Sequence, residues 1–115
     1  MEKDKIQAIV EDRRNANEYF ERKSEAYRAF KEVERKAFQS KALTKGIKEL
    51  IALGISIVTK CEPCMEWHVH EALKEGVTED QIMETMEVAL EMGGGPAMVQ
   101  ARFALSAMDR YLKEK

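Results

Sequence analysis

The sequence has few of the residues that interrupt helices. Only two prolines and six glycines occur in 115 residues, and no stretch alternates apolar and polar residues as a strand would. Apolar residues recur instead at spacings of three and four, which is typical of amphipathic helices. The sequence therefore predicts an all-α fold, and we expect a single domain over residues 1–115 because the chain is too short for two independent cores.

Long apolar runs and blocks of like charge are also missing. The longest apolar stretch, near Leu50–Val58, is far shorter than the ~20 residues that span a bilayer. Basic and acidic residues alternate and leave a net charge of −2, which disfavours nucleic-acid binding. Residues 1–5 lack the apolar run of a signal peptide. We therefore expect a cytoplasmic protein with neither a membrane nor a nucleic acid as partner.

Capping signals divide the chain into about six helices. Ser24 and Thr44 are candidate N-caps, and Thr78-Glu-Asp-Gln81 has the pattern of a capping box. The run Gly93-Gly-Gly-Pro96 should break the last long apolar pattern into two helices. We expect charged N-terminal helices over 1–40, with thin apolar stripes, and a core over 44–113.

Cysteine is scarce, and its two occurrences lie close together. Cys61 and Cys64 are separated by two residues, and in a reducing cytoplasm such spacing favours redox catalysis or metal binding over a structural crosslink. Pro63 fits the first turn of a helix and disfavours helical geometry at Glu62. The two thiols thus straddle a helix N-terminus, where free N–H groups and the helix dipole lower a thiol's pKa.

A histidine follows the cysteine pair at helical spacing. Cys64 lies one turn after Cys61, and His68 lies four residues after Cys64, so the three share one helix face. His68 is therefore placed to take the proton of Cys64. The same spacing turns His70 roughly to the opposite side from Cys61.

Two other interpretations remain open from these residues. Cys61, Cys64 and His68 with His70 are zinc-type ligands, but one helix does not aim all four inward; three of them with Glu49 could form an open metal site. Alternatively, the cysteines report redox state within a non-enzymatic helical oligomer.

The stretch Lys48-Glu-Leu-Ile-Ala-Leu-Gly-Ile-Ser-Ile-Val-Thr-Lys-Cys-Glu-Pro-Cys-Met-Glu-Trp-His68 resembles the AhpD-like, or carboxymuconolactone decarboxylase-like, family. The resemblance runs from about Ala29 to Ala107 and includes the Gly-Val-Thr-Glu-Asp-Gln-Ile turn and the Gly-Gly-Pro before the last helix. It implies an AhpD-like orthogonal helical bundle that forms a homo-oligomer, a trimer or a hexamer, and needs no cofactor. The decarboxylase branch generally lacks the cysteine pair, so the resemblance points away from lactone decarboxylation.

The alkylhydroperoxidase branch of that family reduces peroxides with its cysteine pair, which a dithiol partner bearing lipoyl groups restores. By position, the resemblance implies that Cys64 attacks a hydroperoxide, that Cys61 resolves the product, and that Glu49 and His68 relay protons. A lipoyl or thioredoxin-like protein is the expected reductant, and a hydroperoxide or a disulfide the expected substrate. Pro63 stands where some strong peroxidases of the family have a second histidine.

Glu49 lies far from the cysteines in sequence. Twelve residues separate it from Cys61, or ~18 Å along a straight helix. We therefore predict a chain reversal near Lys60 that stacks the two helices antiparallel and brings Glu49 toward the far end of the cysteine helix, with water filling the remaining gap.

Overall fold

The structure, a computed structural model, describes residues 2–114, with side chains from residue 5 onward. Over that range it contains five α-helices and no strand, which confirms the predicted all-α fold: α1 (Glu2–Lys23), α2 (Glu25–Ala37), α3 (Lys45–Val58), α4 (Glu62–Lys74) and α5 (Glu79–Lys113). The predicted number of about six helices is reached when α5 is divided at its internal break.

That break lies at Gly94, within the predicted glycine run. Gly94 has φ 70° and ψ −156°, a backbone conformation that residues with a Cβ rarely adopt. A Cβ on Gly93 would lie 2.6 Å from the Cβ of Ala97, so the two segments pass too closely for a larger residue. The glycines therefore let the chain change direction and resume as a helix.

The helix starts are fixed by the predicted caps. The hydroxyls of Ser24 and Thr44 each accept a bond from the backbone N–H three residues on, at 3.0 and 3.2 Å. Thr78 and Gln81 form the reciprocal capping box, with bonds of 3.1 and 2.8 Å. Each cap satisfies N–H groups that have no partner inside the helix.

The core lies between α3, α4 and α5. Its buried members include aliphatic, thioether and aromatic side chains: Leu53, Ile57, Met65, Val69, Ile82, Met86, Phe103 and Met108. The N-terminal helices lie outside it: α1 inserts Ile6, which is 1% exposed, and α2 has no buried residue. The thin apolar stripes of these helices thus correspond to peripheral packing.

A tight reversal joins α3 to α4. The N–H of Lys60 bonds the carbonyl of Ile57 at 3.2 Å, and the N–H of Cys61 bonds that of Ser56 at 2.9 Å, which is the Schellman pattern. Lys60 has a φ of 62°. The reversal makes Cys61 the N-cap of α4, so the predicted turn is present.

The expectation that Pro63 keeps Glu62 out of helical geometry was wrong. Glu62 is the first residue of α4 and Pro63 follows it in the first turn. A proline is tolerated there because the N–H it lacks would have no helical partner.

No helix within residues 2–114 combines the length and the apolar character that crossing a membrane requires.

Candidate active site

The two cysteines lie at the N-terminus of α4 and are joined by a disulfide, with their Cα atoms 5.2 Å apart. The Sγ of Cys61 also accepts a hydrogen bond from the N–H of Cys64 at 3.3 Å. Free N–H groups and the positive end of the helix dipole converge on this position, and both favour a thiolate once the disulfide is reduced.

His68 and Glu49 are in direct contact. The Nδ1 of His68 lies 2.7 Å from the Oε1 of Glu49, and Glu49 is 2% exposed. The reversal at Lys60 packs α3 against α4, so the Glu49 and His68 side chains bond directly. The expectation that water fills a gap between Glu49 and the site was wrong. A carboxylate only accepts hydrogen bonds, so Nδ1 donates and Nε2 keeps its lone pair for a proton.

An aromatic side chain fixes the plane of this imidazole. Phe38, which caps the C-terminus of α2, stacks on His68 with ring centroids 5.7 Å apart and an angle of 16° between the planes. The histidine is thus held at one edge by Glu49 and across one face by Phe38.

Lys45 lies among three carboxylates. Its Nζ is 3.1 Å from Glu49, 3.2 Å from Glu71 and 3.8 Å from Glu75. Burial alone would lower the pKa of Lys45, but the hydrogen bonds to Glu49 and Glu71 outweigh burial and raise it. Burial alone would likewise raise the pKa of Glu71, but the bond and charge of Lys45, together with the bond to His70 and the charge of Lys74, outweigh burial and lower it. Both partners are therefore charged at neutral pH.

His70 contacts one acidic and two aromatic side chains. Its Nδ1 lies 3.1 Å from the Oε2 of Glu71, and its ring contacts Trp67 and Tyr111 at centroid distances of 6.0 and 4.9 Å. Over the part of the chain that the structure describes, no three histidine, cysteine or acidic side chains converge so as to hold a metal ion.

A cavity of about 850 Å³ opens in front of the site. Cys64, Trp67 and both histidines line it from α4, and polar side chains of α1 and α2 close the other side. Among the described lining residues Cys64 is present and Cys61 is not. Cys64 is therefore the cysteine that the cavity exposes.

A buried carboxylate anchors α1 over this cavity. Glu66 has no exposed surface and bonds both the guanidinium of Arg13 and the hydroxyl of Tyr111. Burial, followed by the hydrogen bond to Glu66 and the charge of that carboxylate, raises the pKa of Tyr111, so its hydroxyl stays protonated and donates. The guanidinium also lies 4.7 Å over the Trp67 ring.

Cys61, Cys64, His68 and Glu49 were the predicted site residues, and the structure brings Glu49 into contact with His68. The sequence analysis did not identify Lys45 or the other residues that contact Glu49 and His68. The i, i+4 spacing of Lys45 and Glu49 was a visible signal, whereas contacts such as Phe38 on His68 join distant segments and leave no mark in the local pattern.

The chain matches two curated proteins of undescribed function. It is 43% identical over 81 residues to uncharacterized protein 4 in the cox locus of Paracoccus denitrificans, covering 70% of this chain and 73% of that protein. It is 36% identical over 84 residues to an uncharacterized protein of Cupriavidus necator, covering 73% and 74%.

Solved structures share the fold and name the family. A carboxymuconolactone decarboxylase family protein of Legionella pneumophila superposes with a TM-score of 0.89 at 30% identity, over 94% of this chain and 97% of that one. A member from Thermotoga maritima, for which an involvement in an antioxidative response has been suggested, gives 0.84 at 26%, over 92% and 91%. The family model itself matches residues 24–107; the chain belongs to the carboxymuconolactone decarboxylase family.

Proposed function

We propose that the protein is a thiol-dependent peroxidase or dithiol–disulfide oxidoreductase in which Cys64 is the attacking thiol and Cys61 the resolving one. The observation that carries this proposal is the arrangement of the pair: Cys64 lines a cavity, and Cys61 is joined to it by a disulfide. The Glu49–His68 contact supplies a base on the same helix as the thiols.

The first step in this proposal is attack on a hydroperoxide. His68 takes the proton of Cys64 at Nε2, and Glu49 stabilises the imidazolium that forms. The thiolate attacks the distal oxygen of the hydroperoxide, the O–O bond breaks, and the leaving alkoxide takes the proton from His68. Cys64 becomes a sulfenic acid and the substrate leaves as an alcohol.

The second step closes the disulfide. The thiol of Cys61 attacks the sulfur of the sulfenic acid, and water leaves with the Cys61 proton. A dithiol then reduces the Cys61–Cys64 disulfide and is itself oxidised to a disulfide. A lipoyl or thioredoxin-like protein fits this role because it supplies two thiols that exchange in sequence.

Pro63 bears on the balance between the two activities. It occupies the position between the cysteines where the sequence resemblance places a second histidine in some strong peroxidases. Without that histidine we expect slow turnover of peroxide, while disulfide exchange, which needs only the two thiols and His68, proceeds readily. The antioxidative response suggested for the Thermotoga maritima neighbour is consistent with either activity.

The test is peroxide consumption with defined thiol donors. The protein is mixed with cumene hydroperoxide and, in separate assays, dihydrolipoamide, reduced thioredoxin or glutathione. Cys64→Ser should abolish consumption with every donor. Cys61→Ser should form a sulfenic acid at Cys64 that dimedone traps, with turnover reduced because the disulfide does not form.

A serine substitution at an exposed position away from the cavity, Thr59→Ser, is the matched control and should leave consumption unchanged. Full turnover in Cys64→Ser would contradict the proposal. A non-enzymatic redox sensor predicts a different result: no consumption in any variant, together with a change in oligomeric state when the disulfide is reduced.

A further inference from the structure

A continuous row of hydrogen bonds connects the two histidines of the chain behind the cavity. His68 bonds Glu49 at 2.7 Å, and Glu49 bonds Lys45 at 3.1 Å. Lys45 bonds Glu71 at 3.2 Å, and Glu71 bonds His70 at 3.1 Å. Lys45 is the centre of this row and the cation that its two carboxylates share.

The two carboxylates that Lys45 bonds are buried, so their charges depend on this cation. Glu49 is 2% and Glu71 9% exposed, so their charges are poorly solvated and depend on a partner. The side chain of Lys45 is 30% exposed, which leaves it partly hydrated. Without Lys45, two buried negative charges would lie beside the imidazoles with no cation bonded to both.

We propose that Lys45 is a positioning residue of the thiol site: it keeps Glu49 aimed at His68, places a positive charge beside that pair, and thereby sets the pH at which Cys64 becomes a thiolate. The inference rests on the proposed role of Cys64 as the reacting thiol. A positive charge near a set of coupled acids favours loss of their protons. Removing that charge makes the protons of these coupled acids harder to lose, the proton of Cys64 included, so the Cys64 thiolate forms at higher pH.

Other charged or titratable groups contact Lys45, or act on the carboxylates that it bonds, and contribute to the same field. From α4 and its C-cap these are Glu71, Glu75, Lys74 and the two histidines, and from α3 it is Glu49. The depression that Lys45 lines also receives charged side chains of α1 and α2: Glu21, Arg28, Lys31, Glu32, Glu34 and Arg35. Four of these have ion pairs within α2: Lys31–Glu34 and Arg35–Glu32.

The test measures thiolate formation without requiring turnover. In a Cys61→Ser background Cys64 is the one thiol of the chain, and serine is a good N-cap in place of cysteine. The rate of alkylation by iodoacetamide is measured from pH 5 to 10. We expect Lys45→Met to move the midpoint up by at least about half a pH unit, or about threefold slower reaction below the midpoint, while Lys45→Arg stays within a few tenths of the parent.

Two further variants separate this effect from a loss of structure. Lys48→Met removes a cation from the same helix, but Lys48 bonds the carbonyls of Ala37 and Gln39 rather than a carboxylate. The midpoint of Cys64 alkylation should therefore not move in this variant. Adding Glu71→Gln to Lys45→Met removes one of the uncompensated charges and should bring the midpoint part of the way back.

The inference is overturned if Lys45→Met keeps the parent midpoint and lowers only the plateau, as a structural role would. It is also overturned if Lys48→Met shifts the midpoint equally, or if Lys45→Arg behaves like Lys45→Met. Because iodoacetamide reacts with any thiolate, the experiment is informative whether or not the protein consumes peroxide, and failure of the proposed function is seen separately in the donor assays.

Discussion

Glu49 and His68 lie nineteen positions apart in sequence and are in direct contact in the candidate site, at 2.7 Å. A buried carboxylate on Nδ1 does two things for the imidazole: it selects the tautomer with a free Nε2, and it stabilises the ring when that nitrogen takes a proton. Both effects depend on charge as well as on hydrogen bonding.

Glu49→Gln should therefore slow the reaction of Cys64 with hydroperoxide by about tenfold at pH 7, and His68→Gln by about a hundredfold, within the usual range for general acid–base catalysis. Glutamine can still accept a hydrogen bond, but it carries no charge to stabilise an imidazolium. Single-turnover peroxide consumption by the reduced protein measures both rates.

The same change at Glu87, which is exposed on α5, is the matched control and should have no effect. Equal rates in the parent, Glu49→Gln and His68→Gln would contradict the proposed proton relay but not the proposed cysteine chemistry.

These residues differ in how far the sequence could reveal them. Cys61, Cys64 and His68 follow from helical spacing because they share one face of α4. Glu49 came only from the family resemblance, since twelve residues and a chain reversal separate it from Cys61. The contact of Lys45 with Glu71 depends on how α3 lies against α4, which local periodicity does not encode.

Two helices end in a residue with a left-handed backbone conformation; one is a glycine and the other a lysine. Gly76, after α4, has φ 85° with nothing within 4 Å of a Cβ built on it, so a side chain there meets backbone strain alone. Lys60, after α3, has φ 62° and already bears that strain. Both occupy the Schellman position that usually favours glycine.

Gly76→Ala should lower the free energy of unfolding by about 1 kcal/mol, and Lys60→Gly should raise it by a similar or smaller amount. Chemical denaturation monitored by circular dichroism measures both changes.

Gly95→Ala is the matched control. A Cβ on Gly95 also meets nothing within 4 Å, and its φ is not in the left-handed region, so alanine should leave stability unchanged or raise it. Equal losses at Gly76 and Gly95 would show that backbone strain is not the cause.

Most of the helix boundaries could be predicted because capping is a local interaction. Ser24, Thr44 and the Thr78–Gln81 box each satisfy N–H groups within three residues. The break at Gly94 was visible in the glycine run. The placement of Glu62 was not, because steric preference before proline competes with the N-cap formed by Cys61, and only the tertiary turn decides between them.

An exposed apolar face extends along α3 and α5. It forms a groove of about 510 Å³ whose walls are almost wholly aliphatic, and its most exposed members are Ile51, Ile55, Val88 and Met92. The same chain exposes Phe30 and Val33 on α2, which has no buried residue. We propose that a second copy of this chain covers the groove, since two such unpartnered apolar faces on one molecule are unusual for a monomer.

Ile55→Glu should then reduce the molar mass measured by light scattering after size-exclusion chromatography, because a charge in the centre of an apolar interface is costly to bury. The thermal midpoint of the variant should fall as well if assembly stabilises the fold.

Leu43→Glu, which places the same charge at an exposed apolar residue in the segment between α2 and α3, should keep the parent mass. A parent protein that is monomeric at high micromolar concentration would contradict the proposal.

The glycine break in α5 limits how far the molecule extends. A straight helix of 35 residues would measure about 52 Å at 1.5 Å per residue, yet the described chain extends no more than 39 Å along any principal axis. An unbroken α5 would project its last turns into solvent. It would carry Tyr111 away from Glu66, and with it one of the two residues that bond this buried carboxylate above the cysteine cavity.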